Sequence, residues 1–401
     1  MKKLLLFIVS LVMTIAVLPI KVSAIKEDIE KTSLSQTDGN TLRMWYDEPG
    51  NIDTWEETGL VIGNGKTGGI LFGQIAKDQI HFNEKTLWSG GPSASRPNYN
   101  GGNKTLPVTK EQLEELRIRA DDHSKSVFPL GTSLDYVMGN GNGMGKYQDF
   151  GDLNLDFSAT GMTNTNVENY VRDLDMRTGI SSLQYDYENV HYTREYFVSH
   201  PDKVMAIRLT ASENGKLSFN ASAKAANDLQ TKVVSEDGKI RLFGTVNDNQ
   251  MKCEMQTKVY KDGDNGSIVS NDDGTISVRD ADAVTIVLST GTDYKNTYPS
   301  YRGEDPHDAL TNIIEEASSK TYDELKRDHL EDYCELFNRV EINLGGRCPN
   351  IPTNELMAEY RKGNYDVTVE EMIYQFGRYL TIASSRQGDA VSYTHLRAHE
   401  T

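Results

Sequence analysis

From Leu42 onward, hydrophobic and polar positions alternate in short bursts. Runs rich in Val, Ile, Tyr, Phe and Thr recur between Gly, Asn and Asp turn residues, the pattern of a many-stranded antiparallel domain. The clearest runs are Gly69–Ile75, Ile80–Asn83, Asp152–Phe157, Ser182–Tyr187, Val190–Val198, Lys203–Leu209, Lys216–Ala221, Lys239–Val246, Lys252–Val259, Thr275–Val278 and Ala283–Thr290. So many strands exceed a small sandwich and predict a large two-sheet sandwich of roughly 250 residues. One insertion interrupts it. Glu111–Val127 carries Leu113, Leu116 and Ala120 at helical spacing and leads to a glycine-rich loop, Gly139–Gly145.

Near Asp305 the period switches to helical. Leu310, Ile313, Ile314 and Ala317 fall on one face, and Thr321-Tyr322-Asp323-Glu324 reads as a capping box opening a helix through Leu325, Tyr333, Leu336 and Phe337. Val340–Leu344 reads as a short strand. Thr368–Glu371 reads as a second capping box, for a helix that buries Met372, Ile373, Phe376, Leu380 and Ala383. Such an amphipathic helix needs partners, so a second domain is expected to begin here and to be incomplete. Ser392–Thr401 (SYTHLRAHET) continues neither period and resembles translated sequencing-adapter sequence; residues 390–401 are set aside as a non-native tail.

The amino terminus has its own texture. Lys2 and Lys3 precede an apolar run, Leu4–Ile20, and Val22-Ser23-Ala24 offers a small-residue cleavage site, so residues 1–24 are expected to be a signal peptide and the protein secreted. An uncleaved membrane anchor is the competing reading. After cleavage no stable membrane span is expected, and the polar residues 25–40 read as a flexible lead-in.

Length and charge narrow the classes further. At 401 residues, two domains are the natural expectation. Lys and Arg number 42 against 59 Asp and Glu, a net charge of −17 that repels polyphosphate, so no nucleic-acid partner is expected. The three cysteines, Cys253, Cys334 and Cys348, are odd in number and without CxxC spacing, so they are read as ordinary buried thiols.

Candidate chemistry is sparse. Gly63-Asn64-Gly65-Lys66-Thr67-Gly68 matches GxGxxG, and Gly65-Lys66-Thr67 imitates the end of a P-loop. Leu60 stands where a P-loop needs glycine, and a strand follows where a helix is needed, so the segment is read as a turn joining strands and no nucleotide is expected. Asp305-Pro306-His307 reads as a helix start and Asp328–Asp332 as a solvated helix face. No HExxH, GxSxG or EF-hand loop occurs, so neither a metal nor any other cofactor is expected. Trp45 and Trp55 are assigned to core packing. Trp88, in the turn-rich run Trp88-Ser89-Gly90-Gly91-Pro92, is the one substrate-binding candidate, because exposed indoles stack on sugar rings.

Several blocks together resemble one family. Trp45-Tyr46, Trp55-Glu56-Glu57, GLVIGNGKTGGILFG (Gly59–Gly73), IHFNEKTLWSGGP (Ile80–Pro92), YQDFGDLNLDF (Tyr147–Phe157), YVRDLDMRTGI (Tyr170–Ile180), HYTREYFVSHPDKV (His191–Val204), HLEDYCELFNRVEINLG (His329–Gly345) and GRYLTIASSR (Gly377–Arg386) are similar, in order and spacing, to glycoside hydrolase family 95. The resemblance covers about residues 42–388. It implies a mainly β amino-terminal super-sandwich of two large antiparallel sheets at 41–297, a helical linker at 298–345, and the first helices of an incomplete (α/α)6 barrel at 346–389. It further implies an inverting exo-glycosidase acting on fucosylated oligosaccharides or glycans, most often an α-L-fucosidase, with α-L-galactosidase as a relative. The family's acid is a glutamate, and its base role falls to asparagines polarised by an aspartate, all in the barrel. No position here matches them, so no catalytic residue is carried over, no activity is expected of these residues alone, and neither Asn83 nor Glu84 is taken as a sugar ligand. A non-catalytic carbohydrate-binding module remains as an alternative; a phosphorolytic sandwich-plus-barrel enzyme conflicts with the signal peptide and with these blocks.

Overall fold

A computed structural model describes residues 42–100, 109–121, 143–347 and 350–386. The expected leader, lead-in, most of the Gly139–Gly145 loop, Cys348 and the 390–401 tail lie outside the described residues.

Among the described residues, sixteen strands form two antiparallel sheets. The nine-stranded sheet runs β1 (Arg43–Tyr46), β6 (Glu168–Asp175), β7 (Ile180–Tyr187), β8 (Val190–Ser199), β9 (Val204–Ala211), β16 (Ala283–Thr292), β13 (Lys252–Asp262), β12 (Lys239–Val246), β11 (Leu229–Glu236). The seven-stranded sheet runs β14 (Ser267–Ser270), β15 (Ile276–Ala281), β10 (Leu217–Ala225), β5 (Gly151–Asp156), β4 (Lys77–Glu84), β3 (Thr67–Leu71), β2 (Leu60–Gly63). Each of the eleven runs named for the sandwich overlaps a strand, although Gly69–Ile75 outruns β3, which ends at Leu71. In β4 the alternation is strict: Asp78, Ile80, Phe82 and Glu84 face the core. There Ile80 and Phe82 join Leu153, Phe219, Tyr185, Ile207 and Leu288 in one cluster between the sheets.

One ionic group lies inside that core. Arg194 and Asp78 are both about 1% exposed. Arg194 Nη1 donates to Asp78 Oδ2 and to the Gln74 carbonyl at 3.0 Å each, Tyr196 donates its hydroxyl proton to the same carboxylate at 3.0 Å, and the guanidinium lies 4.1 Å above the Phe157 ring. Burial pushes Asp78 up against the lowering pull of Arg194. A buried pair of this kind survives only with its remaining valences satisfied, as they are here.

Six helices complete the described chain: α1 (Trp55–Thr58), α2 (Lys110–Asp121), α3 (His307–Ser318), α4 (Tyr322–Phe337), α5 (Thr353–Arg361) and α6 (Val367–Ser384). Ile314 and Ala317 of α3 with Tyr322 and Leu325 of α4 cover Phe197, Val204, Ala206 and Val287 on the outer face of the nine-stranded sheet. Its central strands are therefore buried on both faces, which explains why Val204–Ile207 and Ile286–Leu288 read as continuous apolar runs. The capping box at Thr321 and Glu324 is present with both arms. Among the described residues no helix is long and apolar enough to cross a membrane.

Three expectations are corrected here. Val340–Leu344 is not a strand, because the backbone donors that follow it end on side chains. Leu344 and Gly346 donate to Glu371 Oε1, and Arg347 donates to Thr368 Oγ1 at 3.1 Å. For the same reason Thr368 and Glu371 form no capping box; the N-cap of α6 is Asp366, whose carboxylate accepts from Thr368 N at 2.8 Å. The buried face of α6 is Val369, Met372, Gln375 and Tyr379, whereas Ile373, one position round the helix, is 57% exposed, and Leu380 is exposed too. The helix expected from the spacing of Leu113, Leu116 and Ala120 is present as α2, with Leu113 exposed.

Candidate functional site

β4 ends at Glu84, and Lys85–Leu87 turn the chain out of the sheet with Leu87 buried as the anchor. Trp88 then bridges to Tyr147, the return arm of the insertion. The two rings sit 5.5 Å apart, tilted by 50°, and each residue is 47% exposed. The indole N–H is taken by the Lys85 carbonyl at 3.0 Å, which fixes the ring plane and leaves its face open. Gly90 is required here. Its φ is +80°, and a Cβ would lie 2.5 Å from the Gly143 carbonyl oxygen.

Two other loops lock this arm in place. Arg96 grips Asp248 of the β12–β13 turn with two N–H···O bonds, 2.9 and 2.6 Å, and Gly90 N donates to the same carboxylate at 2.6 Å. Asn249 donates to the carbonyls of Trp88 and Gly90 at 2.9 and 2.8 Å. From the β16–α3 connection, Arg302 donates to the Asn249 carbonyl at 3.0 Å. The same connection places Tyr301 6.4 Å from Tyr99 and 6.2 Å from Tyr298, which is 62% exposed. One end of the sandwich thus presents Trp88, Tyr99 and Tyr147 from the insertion and Tyr298 and Tyr301 from the β16–α3 connection, braced together through the β12–β13 turn.

Beneath Trp88 lie two partly orphaned charges. Glu84 is fully buried; Thr86 donates to its Oε2 from both N and Oγ1 at 2.6 Å, while Oε1 has no hydrogen-bond partner among the described residues. Burial raises its carboxyl against the lowering effects of Thr86, Lys66 and Lys85. Lys85 Nζ is likewise buried and unpartnered. Burial, with Glu84 and Asp149 nearby, also holds the Tyr147 hydroxyl far above the usual range.

His81, on the outer face of β4, is held between Asp152 (3.0 Å at Nδ1) and Asp149 (3.1 Å at Nε2). Burial alone would lower its pKa, but the two carboxylates carry it up to about 9. It is therefore an imidazolium brace at neutral pH, unsuited to act as a base. Among the described residues no group of three or more His, Cys, Asp and Glu side chains is arranged to hold a metal ion.

Other sequence candidates fall into place differently. Trp88 is exposed in its turn. Trp55, assigned to the core, is instead 47% exposed, because α1 is a single turn with no buried residue; Trp45 is half-buried in the edge strand β1. Asn83 is half-buried, its Oδ1 accepting from Glu84 N. His307 opens α3 and meets Glu254 at 2.9 Å. His329 is not on a solvated face: it is buried, stacked between Phe197 (4.7 Å) and Tyr333 (5.7 Å), with Nε2 donating to the Thr178 carbonyl at 2.9 Å. Cys253 is a buried thiol pushed up to about 12, and Cys334 is a half-buried one pushed up to about 11, both by burial.

Gly63–Gly68 is the turn of the β2–β3 hairpin. Asn64 Oδ1 accepts from Lys66 N and Thr67 N at 3.1 and 2.9 Å, and Gly65, at φ +89°, donates its N–H to the Ala383 carbonyl at 2.7 Å. The turn grips the end of α6, and a Cβ on Gly65 would lie 2.9 Å from Arg386 Cγ. The tyrosines of the loop end escaped the sequence reading. Their signal is the recurrence of Tyr among Pro, Asn and Gly in Arg96–Asn100 and Tyr298–Gly303.

A large sandwich with helices packed on one flank and a braced aromatic end defines an architecture, and an architecture alone does not name an activity. Comparison with known proteins bears on that directly. Residues 44–297 match the model described as glycosyl hydrolase family 65, N-terminal domain, and residues 321–394 match the glycosyl hydrolase family 95 catalytic domain. Alpha-L-fucosidase 2 of Arabidopsis thaliana is 28% identical over 387 residues, 90% of this chain and 43% of the relative. Probable alpha-fucosidase A of Aspergillus niger is 27% identical over 86% of this chain and 43% of its own length; its Aspergillus oryzae counterpart is 26% identical over 86% and 47%. A solved structure carrying the name of a kojibiose phosphorylase, from the human microbiome, covers 86% of this chain and 42% of its own at 11% identity, with a TM-score of 0.48. The chain belongs, through its sandwich, to the family described as glycosyl hydrolase family 65, N-terminal domain, and its later part is similar to the family 95 catalytic domain. It spans less than half the length of the curated relatives it matches.

Proposed function

We propose that this chain is the sandwich and linker portion of an exported exo-acting α-L-fucosidase that releases terminal fucose from glycans with inversion. The observation that carries the proposal is that relatives named as fucosidases align along 86–90% of the chain. Lys2, Lys3 and the apolar run Leu4–Ile20 support export. Inversion needs an acid and an activated water on opposite faces of the sugar, with the two carboxyl-type groups roughly 6.5–9.5 Å apart. No residue described here is assigned either role, and the 401 residues alone are proposed to be inactive.

The test is to assay the full-length protein on a fucosylated oligosaccharide and follow the released sugar by NMR. The expected result is fucose appearing first as the anomer opposite to the substrate, in phosphate-free buffer, with the 401-residue chain giving none. No fucose release by the full-length protein, retention of configuration, or dependence on phosphate would overturn it. Faster release of L-galactose than L-fucose would reassign the sugar within the family.

The exposed Trp88–Tyr147 pair favours a second reading, in which the sandwich also binds glycan without cleaving it. Stacking platforms of this kind are worth a few kcal/mol at most, so the expected affinity is weak. Titration of the chain with a fucosylated oligosaccharide should saturate and weaken in Trp88→Ala; a flat titration removes this reading.

A further inference from the structure

The outer face of the nine-stranded sheet carries an open cleft of ≈ 240 Å³ lined by Thr193, Glu195, Arg208, Thr210, Tyr322 and Asp323. Its floor is a two-by-two square of side chains. Thr193 pairs across β8 and β9 with Thr210, and Glu195 with Arg208. One wall is the first turn of α4, where Tyr322 and Asp323 stand.

The geometry of this square is held from outside. Glu195 accepts the Tyr322 hydroxyl proton at 2.8 Å and the Lys326 ammonium at 2.8 and 3.1 Å. Arg208 Nη1 binds Asp262 and, at 2.7 Å, the Thr285 hydroxyl, while its carbon centre lies 5.4 Å from the centre of the Tyr322 ring. Both charged groups are thus fixed in place with hydrogen-bonding capacity left over: a carboxylate has about four lone-pair sites and a guanidinium five N–H donors. The Thr193 and Thr210 side chains form no hydrogen bond with any other described residue.

We propose that this cleft is a binding site for a single neutral sugar ring, separate from the Trp88 end of the sandwich. The volume lies just below the ordinary range for small-ligand pockets, which begins at about 300 Å³, so it suits one ring and excludes a long oligosaccharide. Vicinal hydroxyls need donors and acceptors side by side, which the square supplies as a guanidinium, a carboxylate and two hydroxyls. An anion is disfavoured. Glu195, Asp323 and Asp262 outnumber Arg208 and Lys326, so a second negative charge gains nothing.

Isothermal titration of the 401-residue chain with methyl α-L-fucopyranoside, methyl β-D-galactopyranoside and sodium sulfate tests this. The expected result is saturable binding of at least one glycoside with a dissociation constant on the order of 1–10 mM, and none for sulfate. Thr193→Val with Thr210→Val, which removes both hydroxyls and keeps every ion pair, should weaken that binding at least tenfold. Circular dichroism of the double variant checks its fold, and Arg208→Gln provides an independent loss. Failure of both glycosides to saturate, binding indifferent to the threonine pair, or displacement by sulfate would overturn the proposal. None of these outcomes depends on whether the full-length protein releases fucose.

Discussion

Replacing His329 by phenylalanine should change how the protein's stability depends on pH more than it changes stability at neutrality. The imidazole is fully buried between Phe197 and Tyr333, its Nε2–H bonded to the Thr178 carbonyl, and Nδ1 has no partner among the described residues. Protonation would put a charge and an unmet donor into that stack, and burial accordingly lowers the pKa to about 4, with Arg386 adding to the effect and Thr178 and Asp332 opposing it. Because the folded value lies below the unfolded one, near 6.5, the unfolded chain takes up the proton first. Stability from this group is complete above about pH 6.5 and is lost as pH falls toward 4. A difference of about 2.5 units at 1.36 kcal/mol each gives a full swing of about 3 kcal/mol, of which about 2.5 is lost by pH 4.5.

Phenylalanine keeps the stack and loses one hydrogen bond, a pH-independent cost of about 1–3 kcal/mol from the stranded carbonyl. Urea unfolding followed by tyrosine and tryptophan fluorescence, at about pH 7 and about pH 4.5, measures both proteins. The wild type should lead the variant at the higher pH, and the gap should close or invert by about 2.5 kcal/mol at the lower one. All carboxylate effects common to the two proteins cancel in that comparison. A gap that stays constant to within about 0.5 kcal/mol would refute the assignment of a neutral, buried imidazole.

Three further outcomes are expected. Arg194→Met should cost about 3–5 kcal/mol in the same unfolding assay by stranding the Asp78 charge, and adding Asp78→Leu should restore most of it; a single variant within about 1 kcal/mol of wild type contradicts the buried pair. Gly65→Ala, at φ +89° and against Arg386, should cost about 1–2 kcal/mol and speed amide exchange at the end of α6, and an unchanged exchange rate speaks against the grip. His81 titrates near 9, so its contribution is complete below about 6.5 and fades as pH rises through 9. In Asp149→Asn an NMR titration should find that midpoint moved down, and a midpoint still at 9 rules out the clamp.

What the sequence showed and what it hid divide along physical lines. Four of the five strands missing from the named runs, β1, β2, β11 and β14, are the four sheet edges. An edge strand is paired on one side only, and β11 (LQTKVVSE) buries little besides Leu229, so its alternation is faint. The fifth, β6, carries a register shift between Glu168 and Val171 with Asn169 at φ 52°, which breaks the period of two. The second capping box failed because Thr-x-x-Glu spacing states what two side chains are able to bind, not what reaches them; the 344–347 segment arrived first. Trp88 was legible because its turn residues lie beside it. The tyrosines that share its end of the sandwich are brought together by pairings such as Arg96 with Asp248, 152 positions apart, which no local pattern contains.

The hold of the β2–β3 turn on the end of α6 also has a temporal side. Tyr379 donates its hydroxyl proton to the Val61 carbonyl across 318 positions, and Gly65 reaches Ala383 over a similar span. At synthesis rates of about 5–20 residues per second, the hairpin waits roughly 15–60 s on the ribosome before its partner exists. During that interval the Gly65 amide faces water and the β2 edge is uncovered. The sandwich must therefore resist self-association while unfinished, and the brevity of β2, four residues containing one glycine, suits a strand that spends its early life unprotected.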